Sequence, residues 1–338
     1  MSMRSRLVLF VSLLIVVTGV VAAYVVGDAL RYRSLHGADP AVASTDTSAI
    51  SAGPRIVFRH TGVDNSYGLV AMVALDDPGG PRAFTDVACD RIYATAADAS
   101  CLQTKRGVVT RYEQLELDRD WSVTSTVPLA GIPSRTRLSP DGSLVASTTF
   151  VAGHSYMQTG FSTATVVRHV DGTSYGNLED FRLLVDGRAV APSDRNIWGV
   201  TFLPDDETFY ATVGTGGTTY LVRGDLSART LTAVRRNAEC PSVSPDGTKV
   251  AYKVDGPARG TWWSIAVLDV ASGTQQVLAG ETANVDDQVE WLDGDTLLYG
   301  KPRDGEPGVT DVWAIDTTPT AEPALLIPQA WSPSVIRR

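Results

Sequence analysis

The chain has 338 residues, 43% hydrophobic and 20% charged, which is enough apolar material for a large core and unlike the composition of a disordered or fibrous protein. Its formal charge is −9 and its pI about 5.0, and its basic residues are scattered, in blocks no longer than pairs such as Arg235–Arg236 and Arg337–Arg338. A nucleic-acid partner needs clustered Lys and Arg, so no nucleic acid is expected.

Residues 1–6 read as a short cytoplasmic tail carrying Arg4 and Arg6. From Leu7 to Val26 the stretch LVLFVSLLIVVTGVVAAYVV holds no charge over 20 residues, long enough to cross a hydrocarbon layer of roughly 30 Å as a helix. Its length and poor cleavage site favour an uncleaved signal anchor; a cleaved signal peptide, with secretion, is the alternative. Arg31 and Arg33 flank the far side, so charge asymmetry says little about orientation. Cysteine usage and the shortness of the N-terminal tail place the bulk of the chain outside the cell. Residues 27–53 turn into Ala, Ser, Thr, Asp, Gly and Pro and read as a flexible linker.

Cys89 and Cys101 bracket the segment CDRIYATAADASC, which can fold back as a hairpin and bring the two sulfurs together, whereas Cys240 has no obvious mate. A Cys89–Cys101 disulfide suits an oxidising exterior. Three buried free thiols are the other reading, and the spacing suggests no zinc site.

Beyond the linker almost no window has helical period, while short alternating runs recur between Gly, Pro, Asp and Asn, so residues 54–338 are predicted to be all-β. Two of these runs share an introduction. SRTRLSPDGSLVAST, from Ser134, and ECPSVSPDGTKVAYK, from Glu239, each place Ser-Pro-Asp-Gly between two extended segments. Pro fixes φ near −65°, Gly accepts the left-handed region and Asp bonds nearby backbone, so the motif is a tight turn and Asp141 and Asp246 serve it. Weaker copies are VTFLPDDETFYATV, VEWLDGDTLLYGK and DVACDRIYATA. Copies near Asp90, Asp141, Asp205, Asp246 and Asp293 make five, at intervals of roughly 40 to 65 residues, each followed by two or three further strand-like runs. The longest interval, with GFSTATVVRHVDGTSYGNLEDFRLLVDGRAV, is expected to be an elaborated blade.

Ser-Pro-Asp-Gly followed by a short apolar strand resembles the repeat of TolB-like, WD-type β-propellers, and the match runs from Arg55 to the C-terminus. The resemblance implies a six-bladed β-propeller with four-stranded blades. The sixth blade is split: AWSPSVIRR at the C-terminus supplies an inner strand, and PRIVFRH and YGLVAMVALDD after the linker supply its neighbours. Joining them closes the ring and removes open sheet edges. TolB itself is a periplasmic partner of envelope proteins with a separate α/β domain before its propeller. Here the anchor and linker stand in that place, so partners that depend on that domain are not carried over.

No catalytic set emerges. GTSYG, from Gly172, fits G-x-S-x-G, but the histidines His36, His60, His154 and His169 all precede Ser174 and the surroundings read as a hairpin rather than a strand feeding a helix. GTGGTTY, from Gly214, lacks the Lys and helix of a phosphate cradle and reads as a hairpin loop; Arg223–Asp225, RGD, reads as a turn. The acidic groups Asp76–Asp77, Asp286–Asp287 and Asp293/Asp295 match no calcium loop, and neither metal nor other cofactor is expected.

The generic ligand site of a propeller is the mouth of its central channel. Arg135, Trp198, Glu239, Asp287 and Trp331 enter the inner strands there, a mixture of charge and aromatic surface that suits a peptide, a glycan or a loop of an envelope protein. The bland alternative is that these side chains plug the channel. The expected function is a membrane-anchored extracytoplasmic binding scaffold, not an enzyme; the alternative is a hydrolase or lyase using the channel mouth.

Overall fold

The structure is a computed structural model that describes residues 3–151, 162–256 and 262–337. Among the residues named above, His154, Gly160, Phe161 and Arg338 lie outside the described residues.

An α-helix runs from Met3 to His36. Its segment Met3–Gly27 has a mean hydropathy of 2.7 and is unburied, so the apolar run is long enough to span a membrane. The chain divides into two units, Met1–Ala41 with the loop Gly62–Tyr67, and Val42–Thr61 with Gly68–Arg338. Within the first, Asn65 donates from its amide to the Ala38 carbonyl and from its side chain to Asp39 Oδ1, both at 2.9 Å.

The second unit is a six-bladed β-propeller. The part of the expected linker nearest the propeller is ordered: Ser44–Thr45 pairs in parallel with Arg82–Ala83, and the helix Thr47–Ser51 buries Ile50. Blade 1 has Ala330–Ile336 as its inner strand, followed by Arg55–His60, Leu69–Ala74 and Arg82–Ala88. Arg55 is paired with Ile336 and His60 with Ala330, so the two ends of the propeller sequence share one sheet.

The remaining blades each begin with an inner strand, which a copy of the motif turn joins to the second strand in blades 3 to 6 and residues 95–97 join to it in blade 2. These inner strands are Arg91–Ala94, Ile132–Leu138, Asn196–Phe202, Glu239–Val243 and Glu290–Trp291, in blades 2 to 6. The extra residues between blades 3 and 4 form the hairpin Arg182–Val185/Arg188–Val190, which pairs in parallel with Thr230–Arg236 and widens blade 4 to six strands. RGD lies within the strand Thr218–Asp225 rather than in a turn. Its glycine is packed by the Phe209 ring, where a Cβ at Gly224 would sit 2.1 Å from Phe209 Cζ.

The Ser-Pro-Asp-Gly turns are built by their own side chains. Gly247 has φ +74°, which an L side chain adopts at a cost. Ser244 Oγ donates to Asp246 Oδ1 at 2.6 Å and accepts from Lys249 N at 2.9 Å, while Thr248 N donates to Asp246 Oδ1 at 3.0 Å. Ser139, Asp141, Gly142 and Ser143 repeat the arrangement.

The core lies between neighbouring blades, because alternation gives each four-stranded sheet two faces and the ring covers both. Val57 and Met72 of blade 1 pack with Ile92 and Leu115 of blade 2, and Ile56 and Phe58 of blade 1 pack with Leu298 and Val312 of blade 6. Blades 2 and 3 instead meet through hydroxyls, Ser100 Oγ and Thr136 Oγ1 standing 2.6 Å apart. A disulfide joins Cys89, in the segment that leads from blade 1 into blade 2, to Cys101 in the second strand of blade 2, and Cys240 is a buried free thiol.

Candidate functional site at the wide mouth of the channel

Among the described residues, a packed waist on the axis of the ring separates a larger cavity from a smaller one. At the waist, Arg137 of blade 3 pairs with Glu290 of blade 6, both buried, and also donates to the Val289 carbonyl at 3.0 Å and Ser242 Oγ at 3.3 Å. Its guanidinium lies 4.6 Å from the centre of the Tyr93 ring of blade 2. Gln288 donates to the Pro241 carbonyl at 2.8 Å and the Val200 carbonyl at 3.2 Å. Blades 2 to 6 are therefore cross-linked by polar and cation–π contacts at the middle of the channel.

The smaller cavity, about 290 Å³, lies on the side of the Ser-Pro-Asp-Gly turns. The larger, about 1280 Å³, opens where the chain enters the inner strands and beside the ends of the second and third strands of blades 3 to 6. Arg135, Trp198, Glu239 and Trp331 line it together. Asp287 does not line it. Its carboxylate is 2% exposed beneath the floor, 3.4 Å from Arg91 Nη1, and accepts the Gly300 amide at 3.0 Å. Its neighbour Asp286 lines the cavity instead, because successive residues of an extended segment point opposite ways.

Arg91, Lys253, Trp263 and the hairpin Gly214–Thr219 complete the wall. Sequence reasoning missed them for different reasons. Arg91 opens the inner strand of blade 2, at a position comparable to Arg135, so a strict comparison of copies could have found it. Lys253 and Trp263 come from the second and third strands, where no motif marks the end that faces the mouth. GTGGTTY is the expected hairpin, with Thr215 opposite Thr218, and its tip borders the cavity.

The electrostatics of the floor are coupled. Arg91 lies 4.8 Å from the centre of the Trp331 ring. Trp331 in turn rests on Gly300, where a Cβ would come within 2.2 Å of the ring. Lys253 Nζ donates to Asp286 Oδ1 at 2.7 Å and lies 4.1 Å from the centre of the Trp263 ring. The Trp263 indole donates to Glu239 Oε1 at 3.3 Å. Burial pushes the Glu239 carboxyl above its ordinary range against the pull of Lys253. At Asp286 burial works the same way, but the charge and hydrogen bond of Lys253 outweigh it and hold the carboxyl low. Burial, then the charge of Arg135, pulls the Arg91 guanidinium down, with Asp287 opposing.

The other sequence candidates serve structure. Ser174 begins the outer strand Ser174–Asn177, its Oγ accepts the Gly176 amide at 2.9 Å, and only the single 3-10 turn Leu178–Asp180 follows, not the α-helix that a nucleophile elbow feeds. His169 lies 3.2 Å from the Tyr175 hydroxyl. Asp293 caps its turn by accepting Asp295 N at 2.8 Å and Thr296 N at 2.7 Å.

No family model matches the chain, and neither does any curated protein. Among solved structures, TolB from Acinetobacter baumannii superposes with a TM-score of 0.59 at 16% identity, over 84% of this chain and 67% of that one. A chain of the nidogen/laminin complex gives 0.56 at 13% identity, over 84% and 98%. Oligogalacturonate lyase in complex with manganese gives 0.47 at 12% identity over 75% and 77%, too distant to support a conclusion. At these identities the likeness is one of fold: the chain carries a TolB-like six-bladed β-propeller.

Proposed function

We propose that this protein is a membrane-anchored, extracytoplasmic propeller that acts as a non-catalytic binding module, with its partner docking at the wide mouth of the channel. The cavity of about 1280 Å³ carries this reading: it gathers three indoles, three cations and several carboxylates from different blades, above a waist closed by buried polar contacts. Such a concave, mixed surface suits a loop or peptide of an envelope protein, or a glycan. The apolar N-terminal helix supports single-pass anchoring, and the Cys89–Cys101 disulfide supports an oxidising compartment for the propeller.

The test is photo-crosslinking in native membranes, with a benzophenone side chain at Thr218 on the mouth hairpin and, as control, at Thr126 on the outer edge of blade 2. Adducts to an envelope component from position 218 and none from 126 are expected. Adducts from both positions alike, or from neither, overturn the assignment of the mouth.

One observation favours a second reading. Glu239 and Asp286 share the cavity with their carboxyls pushed in opposite directions, the arrangement by which an enzyme separates acid from base. Turnover of a peptide or glycan panel that is abolished by Glu239→Gln decides for an enzyme; binding without turnover decides against it.

A further inference from the structure

Among the described residues, every charge lining the wide mouth is in an ion pair or accepts a hydrogen bond from another residue, with one exception. Lys253 is paired with Asp286 at 2.7 Å, and Arg91 with Asp287 at 3.4 Å. Asp194 accepts Thr215 Oγ1 at 2.6 Å and Gly216 N at 2.8 Å, and Asp255 accepts Trp262 N at 2.8 Å. Glu239 accepts the Trp263 indole. Arg135 alone, among the described residues of this lining, is a charged group in no ion pair and bonded to no side chain. Its Nη1 donates to its neighbour's carbonyl, Ser134 O, at 3.0 Å, and its Nε is buried without a partner. A guanidinium carries five N–H groups in a planar fork suited to a carboxylate, and leaving such a donor buried and unbonded is costly. Arg135 shares the cavity with Arg91 and Asp286, and its charge pulls both groups down.

The rest of the wall says what kind of molecule brings the missing anion. Asp194, Glu239, Asp255 and Asp286 outnumber the cations of the lining, so a multiply charged anion meets repulsion that a single carboxylate does not. The same four carboxyls are acceptors, which call for a ligand rich in neutral donors such as hydroxyls. Trp198, Trp263 and Trp331 add flat aromatic surface, whose negative face attracts the polarised C–H face of a sugar ring. Hydroxyl donors, a flat C–H face and one carboxylate per residue occur together in an acidic saccharide.

We propose that the wide mouth binds a glycan bearing isolated carboxylates, and that Arg135 is the residue that recognises the carboxylate. This rests on the reading of the mouth as a binding site and specifies its ligand.

The experiment follows tryptophan fluorescence of the full-length chain in detergent during titration with three probes: an oligosaccharide alternating glucuronate and N-acetylglucosamine, an N-acetylglucosamine oligomer of equal length, and a glutamate-containing peptide. The acidic saccharide is expected to bind at least tenfold more tightly than the neutral one, a charge-assisted bond's worth of discrimination. Arg135→Gln should erase that difference and Arg135→Lys should restore part of it, with the melting temperature of each variant checking that the fold is kept. Equal affinity for the two sugars, or an undiminished preference in Arg135→Gln, overturns the proposal. Binding of the peptide alone, lost in Arg135→Gln, overturns the glycan in favour of an acidic polypeptide. No binding by any probe overturns the proposal as well, and the crosslinks from position 218 then report separately whether the mouth is occupied at all.

Discussion

Ser334 and Ala94 exchange two hydrogen bonds although 240 residues separate them: the Ser334 hydroxyl donates to the Ala94 carbonyl at 2.7 Å and accepts from the Ala94 amide at 2.9 Å. One belongs to the last strand of the chain and the other to the inner strand of blade 2. Both residues are buried, so one hydroxyl satisfies two backbone groups at the seam where the ring closes. Ser334→Ala leaves both unsatisfied and is expected to cost about 2–3 kcal/mol, read from the midpoint of chemical denaturation. A loss below about 0.5 kcal/mol would mean that water replaces the hydroxyl.

The closing strand should weigh more than its length suggests. A chain ending at Ala330 loses the inner strand of blade 1 and exposes the edges of its neighbours, so it should aggregate or melt far lower. A chain beginning at Val42 keeps Ser44–Thr45 and the buried Ile50 and should melt cooperatively as a monomer. Analytical ultracentrifugation and calorimetry of the two chains check this, and equal behaviour would contradict the role assigned to the seam.

At the waist, Arg137 and Glu290 are both buried and each is the other's counter-charge. Glu290→Ala strands a guanidinium inside the protein and is expected to cost about 3–5 kcal/mol. Replacing both by Leu should recover most of that loss, because two buried charges are removed together. A double-mutant cycle in denaturant measures the coupling, and additive losses would show that the pair is not a unit.

Asp246 predicts how the turns respond to acid. The Ser244 hydroxyl, then the Thr248 amide and hydroxyl, hold its carboxyl down to about 2. An Asp in the unfolded chain titrates near 3.9, so the stabilisation is present above about pH 4 and lost as pH falls towards 2. Asp246→Asn should flatten the fall in melting temperature between pH 4 and 2 relative to the unaltered chain. An unchanged acid profile would mean that the turn does not couple to global unfolding.

Reducing the Cys89–Cys101 bridge frees a loop with a sequence separation of 12. The chain-entropy relation puts the loss at about 3 kcal/mol. The pair Cys89→Ser with Cys101→Ser should show that loss in calorimetry and, unlike the unaltered chain, no further response to reductant. A response that persists would have to come from Cys240.

The number of blades and the position of every inner strand were legible because they depend on interactions a few residues long. Ser-Pro-Asp-Gly builds its turn from its own hydroxyl, carboxylate and glycine, and alternation to either side of Gly247 sets two faces, whatever the rest of the chain does. Even the split blade could be read, since AWSPSVIRR and PRIVFRH each lack what the other supplies. The extra hairpin Arg182–Val185/Arg188–Val190 was placed in the right interval but not on its sheet, because pairing with Thr230–Arg236 skips over the three other strands of blade 4.

What only the tertiary structure decided is which side chains meet. Period two states that Asp286 and Asp287 point opposite ways, but not which faces the mouth; closure of the ring turns Asp286 to Lys253 and the cavity and sends Asp287 down to Arg91 and the Gly300 amide. Trp331 could be named from the last strand, yet its seat on Gly300, a residue of blade 6, exists only once the first and last blades are neighbours. Arg135 likewise is one basic residue among many in the sequence, and is set apart only by the partners that Arg91 and Lys253 find and it does not. Turn chemistry and alternation act within one hairpin and survive in any context, whereas the charge balance of the mouth is a sum over blades, fixed by the order in which the ring places them.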